Sequence, residues 1–251
     1  MASFRDLLLP LAEADFRDFT KRTIPCEREI LGIRIPLIRK LVKAIPKEDF
    51  SDYLNRETRS LEEVLARGFL IAQLPYEEMV AYFDSQIERL DNWCAVDTFC
   101  AALRKSIKKH ETEFLKSKVT PLLYSSQEYT TRAGLVCLLD FYVDEAYLPI
   151  IFTEALRLSK RQEYYVKMAL AWLLAECYTK HPEISLVFLK KNQQNIDPWT
   201  LNKTISKIHD SYRVSDKMKL EAKKLRVRPW QRFCNFAFKI ASNLNFKRKL
   251  W

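Results

Sequence analysis

The chain has almost no glycine: three residues in 251, Gly32, Gly68 and Gly134. Phosphate-cradling loops need several glycines close together, so that the backbone can turn tightly and approach the anion. Dinucleotide-fingerprint and P-loop enzymes are therefore excluded, as is a hairpin-rich all-β fold. Histidine is as scarce, with His110, His181 and His209 each isolated. No H-x₃-H, H-E-x-x-H or Cys-x-x-Cys spacing occurs. The six cysteines are scattered, four of them inside apolar helical patterns where a free thiol behaves as a small hydrophobe. A metal site or a disulfide framework is not expected, and no cofactor is implied. Acids appear by residue 13 with no long apolar run before them, and no stretch approaches a membrane span. These absences describe a reduced cytoplasmic protein.

Forty-eight per cent hydrophobic and 29 per cent charged residues are a globular balance. The net charge of +10 points to a polyanionic partner, but it is unevenly placed. From Arg226 to Trp251 there are seven basic residues and no acid, which leaves +3 for residues 1–225. Any nucleic-acid reading of the body must rest on local features.

The periodicity is helical nearly throughout. Residues 2–22 carry Phe4, Leu7, Leu8, Leu11, Phe16 and Phe19, with Pro10 as a kink or a break. Ile35, Ile38, Leu41, Val42 and Ile45 form a second stripe. Ser60-Leu61-Glu62-Glu63 reads as a capping box opening a helix to Ala72. Further helices are predicted at 75–90, 93–105 (capped by Asp91 or Asn92), 111–124, 127–142, 145–158, 162–179, 182–191, 198–208, 214–225 and 230–246. Neighbouring pairs recur at roughly 35 residues, a little shorter than HEAT repeats of about 40–47. The expected fold is all-α: a HEAT-like repeat α-solenoid of stacked antiparallel helix pairs with a concave groove, over residues 1–225. A compact bundle is the alternative. Residues 226–251 form a basic, aromatic extension, read either as a capping helix or as a basic arm for DNA or an anionic membrane surface.

Three helices hold side chains that core packing does not ask for. Asp97 is the only charge in Cys94–Leu103, and Trp93 lies one turn before it on the same face. Arg132 is the only charge in Thr130–Leu139. Trp172 interrupts Met168–Leu174, with Tyr165 seven residues earlier. Core tryptophans and a structural Asp97–Arg132 pair would account for them. So would one site lined by equivalent faces of successive repeats.

At these residues the sequence resembles the AlkD-like DNA alkylation repair family, the HEAT-like repeat alkylpurine DNA glycosylases. The matching stretches are Leu31-Gly32-Ile33-Arg34-Ile35-Pro36 with Arg39-Lys40, Asp91-Asn92-Trp93 with Val96-Asp97, Thr131-Arg132-Ala133, Tyr164-Tyr165-Val166-Lys167-Met168-Ala169 through Trp172, and Asn202-Lys203 with Lys207. The resemblance implies a solenoid that grips double-stranded DNA and hydrolyses the N-glycosidic bond of cationic N3- or N7-alkylated purines; a monomer is expected, and activity without a metal, since the sequence holds no ligand cluster. It implies Asp97 as the catalytic carboxylate, Trp93 and Trp172 as aromatic faces against the lesion, and Arg132 as a contact to the backbone nearby. Arg34, Tyr165, Lys203, Lys207 and Arg213 are the expected DNA-backbone contacts; Lys203 and Lys207, four residues apart, share a helix face. A solvated basic face is the plainer account of those cations. A non-catalytic DNA-binding solenoid and a protein-interaction scaffold are the competing functions.

Overall fold

The computed structural model describes residues 3–227. In chain order the helices are α1 Phe4–Leu8, α2 Ala14–Thr23, α3 Ile35–Lys43, α4 Phe50–Leu54, α5 Leu61–Ile71, α6 Tyr76–Ile87, α7 Trp93–Ala102, α8 Arg104–Ile107, α9 Glu111–Phe114, α10 Thr120–Leu123, α11 Glu128–Phe141, α12 Leu148–Leu158, α13 Tyr164–Lys180, α14 Pro182–Asn192, α15 Pro198–Asp210 and α16 Asp216–Lys223. Among the described residues the only β pairing is an isolated bridge between Glu29 and Ser60. The fold is an all-helical repeat solenoid.

One layer is a ladder in which α3, α5, α7, α11, α13 and α15 pack side by side in that order. From α5 onward these helices begin at Leu61, Trp93, Glu128, Tyr164 and Pro198, steps of 32 to 36 residues. Hydrogen bonds between successive repeats keep that register. Arg132 reaches Asp97 and Arg104 reaches the Asp140 carbonyl; Tyr165 N–H reaches Glu128, Lys180 reaches the Val143 carbonyl and Arg213 reaches Glu176. N-terminal halves meet N-terminal halves and C-terminal ends meet C-terminal ends, so the ladder helices run parallel. The intervening helices return the chain each time.

Local sequence sets the helix starts. Ser60 accepts from Glu63 N–H while the Glu63 carboxylate accepts from Ser60 N–H, which completes the expected capping box. Of the two candidate caps before Trp93, Asn92 is the one used, accepting from Ala95 N–H at 2.9 Å. Two segments differ from the sequence expectation. Residues 2–22 divide at Pro10, with a 3-10 turn over Leu9–Leu11 between α1 and α2, so two helices precede the Gly32 loop. The 111–124 segment carries a π turn at Leu115–Val119, where Pro121 has no N–H to give and Thr120 Oγ1 bonds the Leu115 carbonyl. The short helix α4 was not expected, and the predicted helix 230–246 lies outside the described residues.

The loop before α3 is held by a buried carboxylate. Glu62 accepts the N–H groups of Leu31, Gly32 and Ile33 at 3.0, 2.8 and 3.2 Å. Gly32 has φ +88°, and a Cβ there would lie 2.5 Å from both Arg17 Cβ and the Glu13 carbonyl oxygen. Conformation and space both demand glycine. Gly32→Ala is expected to cost at least about 2 kcal/mol, seen as a lower urea midpoint with an unchanged slope; a midpoint equal to wild type would show that α2 gives way freely.

Candidate functional site

The site is built from the one strip of each ladder helix that its neighbours leave open. On α7, Cys94, Ala95, Val96, Phe99 and Cys100 are buried, while Trp93 and Asp97 are half-buried. The Asp97 side chain is 21% exposed and that of Arg132 only 7%. Arg132, on α11, takes both Asp97 oxygens: Nε donates to Oδ1 at 2.9 Å and Nη2 to Oδ2 at 2.8 Å. Its remaining nitrogen, Nη1, donates to the Tyr165 carbonyl at 2.9 Å, and the guanidinium carbon lies 6.0 Å from the Tyr165 ring centre. One side chain thus ties α7, α11 and α13 together. Burial raises the Asp97 pKa above its ordinary value, and the Arg132 hydrogen bonds and charge offset only part of that rise.

Trp172 is exposed on α13, and Lys207 from α15 holds its ammonium 5.7 Å from the indole centre. Burial, then the charges of Lys203 and Arg132, push the Lys207 pKa down; Asp210 and Asp97 act in the opposite direction. Tyr165 is half-buried and packs on Tyr129 at 5.4 Å between centroids.

The structure brings Asp97, Arg132, Tyr165, Lys207 and Trp172 into one network. Trp93 lies one turn from Asp97, and Lys203 one turn from Lys207. Two of the sequence candidates are engaged elsewhere. Arg213 forms a two-bond pair with Glu176, and Arg34 makes one with Glu13 while packing 4.7 Å from the Phe16 ring. Both arginines remain largely exposed.

Two acids near the site were missed. Asp140 directly follows the apolar run that made Arg132 stand out, and Glu176 lies one turn after Trp172. Asp140 has its pKa pushed up to about 6 by burial, with Arg104 lowering it and Asp97 and Glu176 raising it further. The signal was available: each is the next charge after a residue already singled out. Among the described residues no group of three or more His, Cys, Asp and Glu side chains could hold a metal. No described helix is long and apolar enough to cross a membrane.

The family model described as DNA alkylation repair enzyme matches residues 4–208, which takes in all but the last two residues of the ladder, and with it Asp97, Arg132, Tyr165, Trp172 and Lys207. The chain belongs to the DNA alkylation repair enzyme family. No curated protein matches it. Family membership supports an enzyme role in the repair of alkylated DNA, with DNA as the partner, and the match ends two residues before the close of α15. In this alkylation repair protein the strip from α7 to α15 is therefore the part to weigh for chemistry.

The raised pKa of Asp140 has a consequence for stability. A carboxyl that protonates more easily folded than unfolded contributes fully below its ordinary value of 3.8, and that contribution is lost as pH climbs through about 6. Asp140→Asn abolishes the titration. The melting temperature of the variant relative to wild type is expected to rise between pH 4 and pH 7, and parallel melting curves across that range would contradict this.

Proposed function

We propose that this protein is a DNA glycosylase that hydrolyses the N-glycosidic bond of cationic N3- or N7-alkylated purines in double-stranded DNA. The observation that carries the proposal is a partly open carboxylate, Asp97, oriented at both oxygens by Arg132, with one indole a turn away and another on α13, the next ladder helix beyond that of Arg132. An alkylated purine of this kind is already a cationic leaving group, so no strong general acid is required. As the C1′–N bond breaks, its electron pair neutralises the base and positive charge develops on the deoxyribose. A carboxylate in a half-buried site stabilises that charge, and the faces of Trp93 and Trp172 add cation–π attraction. Water adds to C1′ and loses its proton. Neither metal nor cofactor has a part in this scheme, and the protein acts as a monomer in the cytoplasm.

Arg34, Tyr165, Lys203, Lys207 and Arg213 are proposed to hold the DNA backbone. Phosphate contacts position the duplex without reading its sequence. For Arg213 and Arg34 the phosphate competes with Glu176 and Glu13, whereas Lys203 is in no ion pair among the described residues. Lys203→Ala should lower the slope of log affinity against log salt by about one unit. An unchanged slope would remove Lys203 from the contact.

A second reading draws on the same pair. Both Asp97 oxygens are bonded to Arg132, which serves helix packing whether or not DNA is cut, so a binding module without catalysis would keep it. Release of 7-methylguanine from alkylated duplex separates the two. Wild type is expected to release the base in the presence of excess chelator, and Asp97→Asn to lose at least about 100-fold in single-turnover rate, with circular dichroism showing that the variant folds. Binding without release by wild type would establish the non-catalytic reading.

A further inference from the structure

One run of cations along the ladder has no part in the site described so far. Arg104, Lys105, Lys108 and Lys109 fall within six residues with no acid among them, and all four are exposed. None is in an ion pair among the described residues. Arg104 donates to the Asp140 main-chain carbonyl, and Glu113, an exposed acid shortly after the run, faces His110 at 3.6 Å. The backbone that carries these cations is pinned to three neighbouring elements. Leu103 and Ile107 are buried in the core. Ser106 Oγ donates to the Ala72 carbonyl, at the end of α5, at 3.0 Å. The His110 ring stacks on Tyr76, the first residue of α6, with 3.9 Å between centres and 4° between planes. Arg104 Nη2 reaches α11 at 2.6 Å, with its guanidinium carbon 5.5 Å from the Phe141 ring centre. The inward residues thus fix the turn, and the lysines between them are left to solvent. A cationic surface on a fixed backbone gives up less freedom when it meets an anion.

The turn also extends the strip. Leu103 keeps right-handed helical angles (φ −73°, ψ −13°), so α8 continues the winding of α7. Arg104 and Lys108 follow Asp97 by 7 and 11 residues, spacings that return to one helix face. Lys105 is eight residues beyond Asp97, about 12 Å along the helix. The major groove of B-DNA is about 12 Å wide, so this is the scale on which a protein touching one backbone meets the other. We propose that the Arg104–Lys109 turn binds the phosphodiester backbone of the strand opposite the lesion, through Lys105, Lys108 and Lys109, while the lesion strand lies over Asp97. The assignment of strands rests on the glycosylase reading; the affinity of the turn for phosphate does not. Contacts of this kind fix register and orientation without reading sequence. A duplex held at both backbones cannot roll about its own axis, which keeps the lesion sugar turned toward Asp97.

The test uses the full-length chain and a duplex with one tetrahydrofuran abasic analogue, which has no base to release. Affinity is read by fluorescence anisotropy over a series of salt concentrations. Lys105→Gln, Lys108→Gln and Lys109→Gln combined should lower the slope of log affinity against log salt by about two to three units. The same change of charge at Lys116, Lys160 and Lys191, exposed cations outside the ladder helices, should leave the slope as it is. Short runs of uncharged methylphosphonates, moved along one strand and then the other, identify the strand. Wild type should lose affinity and slope at one run opposite the analogue, and the combined variant should lose nothing further there. Circular dichroism reports folding, and the single substitutions, at about one unit each, carry the test if the combined variant does not fold. An unchanged slope, an equal loss in the control variant, or a coupled run on the analogue's own strand would overturn the proposal, as would failure of wild type to bind the duplex. A turn that behaves as expected in a protein releasing no 7-methylguanine would refute the glycosylase reading and leave this one standing; release with an unchanged slope would do the reverse.

Discussion

Every ladder helix from α5 to α13 is packed on both sides by its ladder neighbours and backed by returning helices, so only a narrow strip of each can meet solvent. The rest of the molecule follows from this constraint. It explains why α5 is buried at every position and why α13 is apolar nearly all round. It also explains why polar side chains of these helices are either structural or confined to the strip. Close approach of α7 and α11 needs small side chains at the seam. Cys100, Ala133 and Cys137 supply them, with Cys137 Sγ donating to Cys100 Sγ at 3.6 Å and Cys100 Sγ to the Ala133 carbonyl at 3.7 Å. Asp97 and Arg132 occupy the edge of that same seam. The pair is therefore partly a packing device, and removing one partner would leave a buried charge at a cost of about 3–5 kcal/mol.

Two buried charged groups away from the strip, Glu62 and Arg67, differ from those within it. Glu62 spends its carboxylate on three backbone N–H groups. Arg67, with its pKa pushed down to about 10 by burial, donates to the Leu54 carbonyl, Gln86 and Ser85. These groups face inward and are saturated by neutral or backbone partners, as structural polar residues are. Within the strip the partners are charges on the next repeat, and side chains keep some exposure. That contrast, more than the identity of any one residue, separates a site from a core.

Much of this was legible in the sequence because the constraint is itself a sequence pattern. A helix packed on three sides reads as an apolar run, and a lone Asp97, Arg132 or Trp172 within it stands out either as a buried structural group, as Arg67 is on α5, or as a group on the open strip. The repeat of about 35 residues was visible in the spacing of helix starts. What stayed hidden depends on register between helices, which no local pattern encodes. That Arg213 meets Glu176, 37 positions away, and that Lys207 comes over Trp172 are facts about how far one helix slides along the next. The division at Pro10 was foreseen as a possibility, whereas the π turn at Leu115–Val119, just before Pro121, was not. Asp140 was overlooked for a simpler reason: it closes the apolar run and resembles a helix-end charge until its surroundings are known.

The strip is not uniformly basic. Along it, carboxylates and cations alternate between repeats: Asp97 with Arg132, Glu176 with Arg213, and Asp140 near Arg104. A carboxylate facing a polyanion is unfavourable unless something neutralises it, and Arg132 does so at both oxygens of Asp97. The same bonds keep the carboxylate pointing in one direction. A cation developing beside it would then meet an oriented dipole as well as a shared charge, with no reorganisation required at the moment of bond breaking. Arg213 and Arg34 show the complementary arrangement, with largely exposed guanidinium groups held by Glu176 and Glu13. Lys207 stands between the two cases, too buried to act as a freely solvated cation and without an acid of its own. Its place over Trp172 therefore depends on the indole face, and whatever cation enters the strip must first contend with that contact.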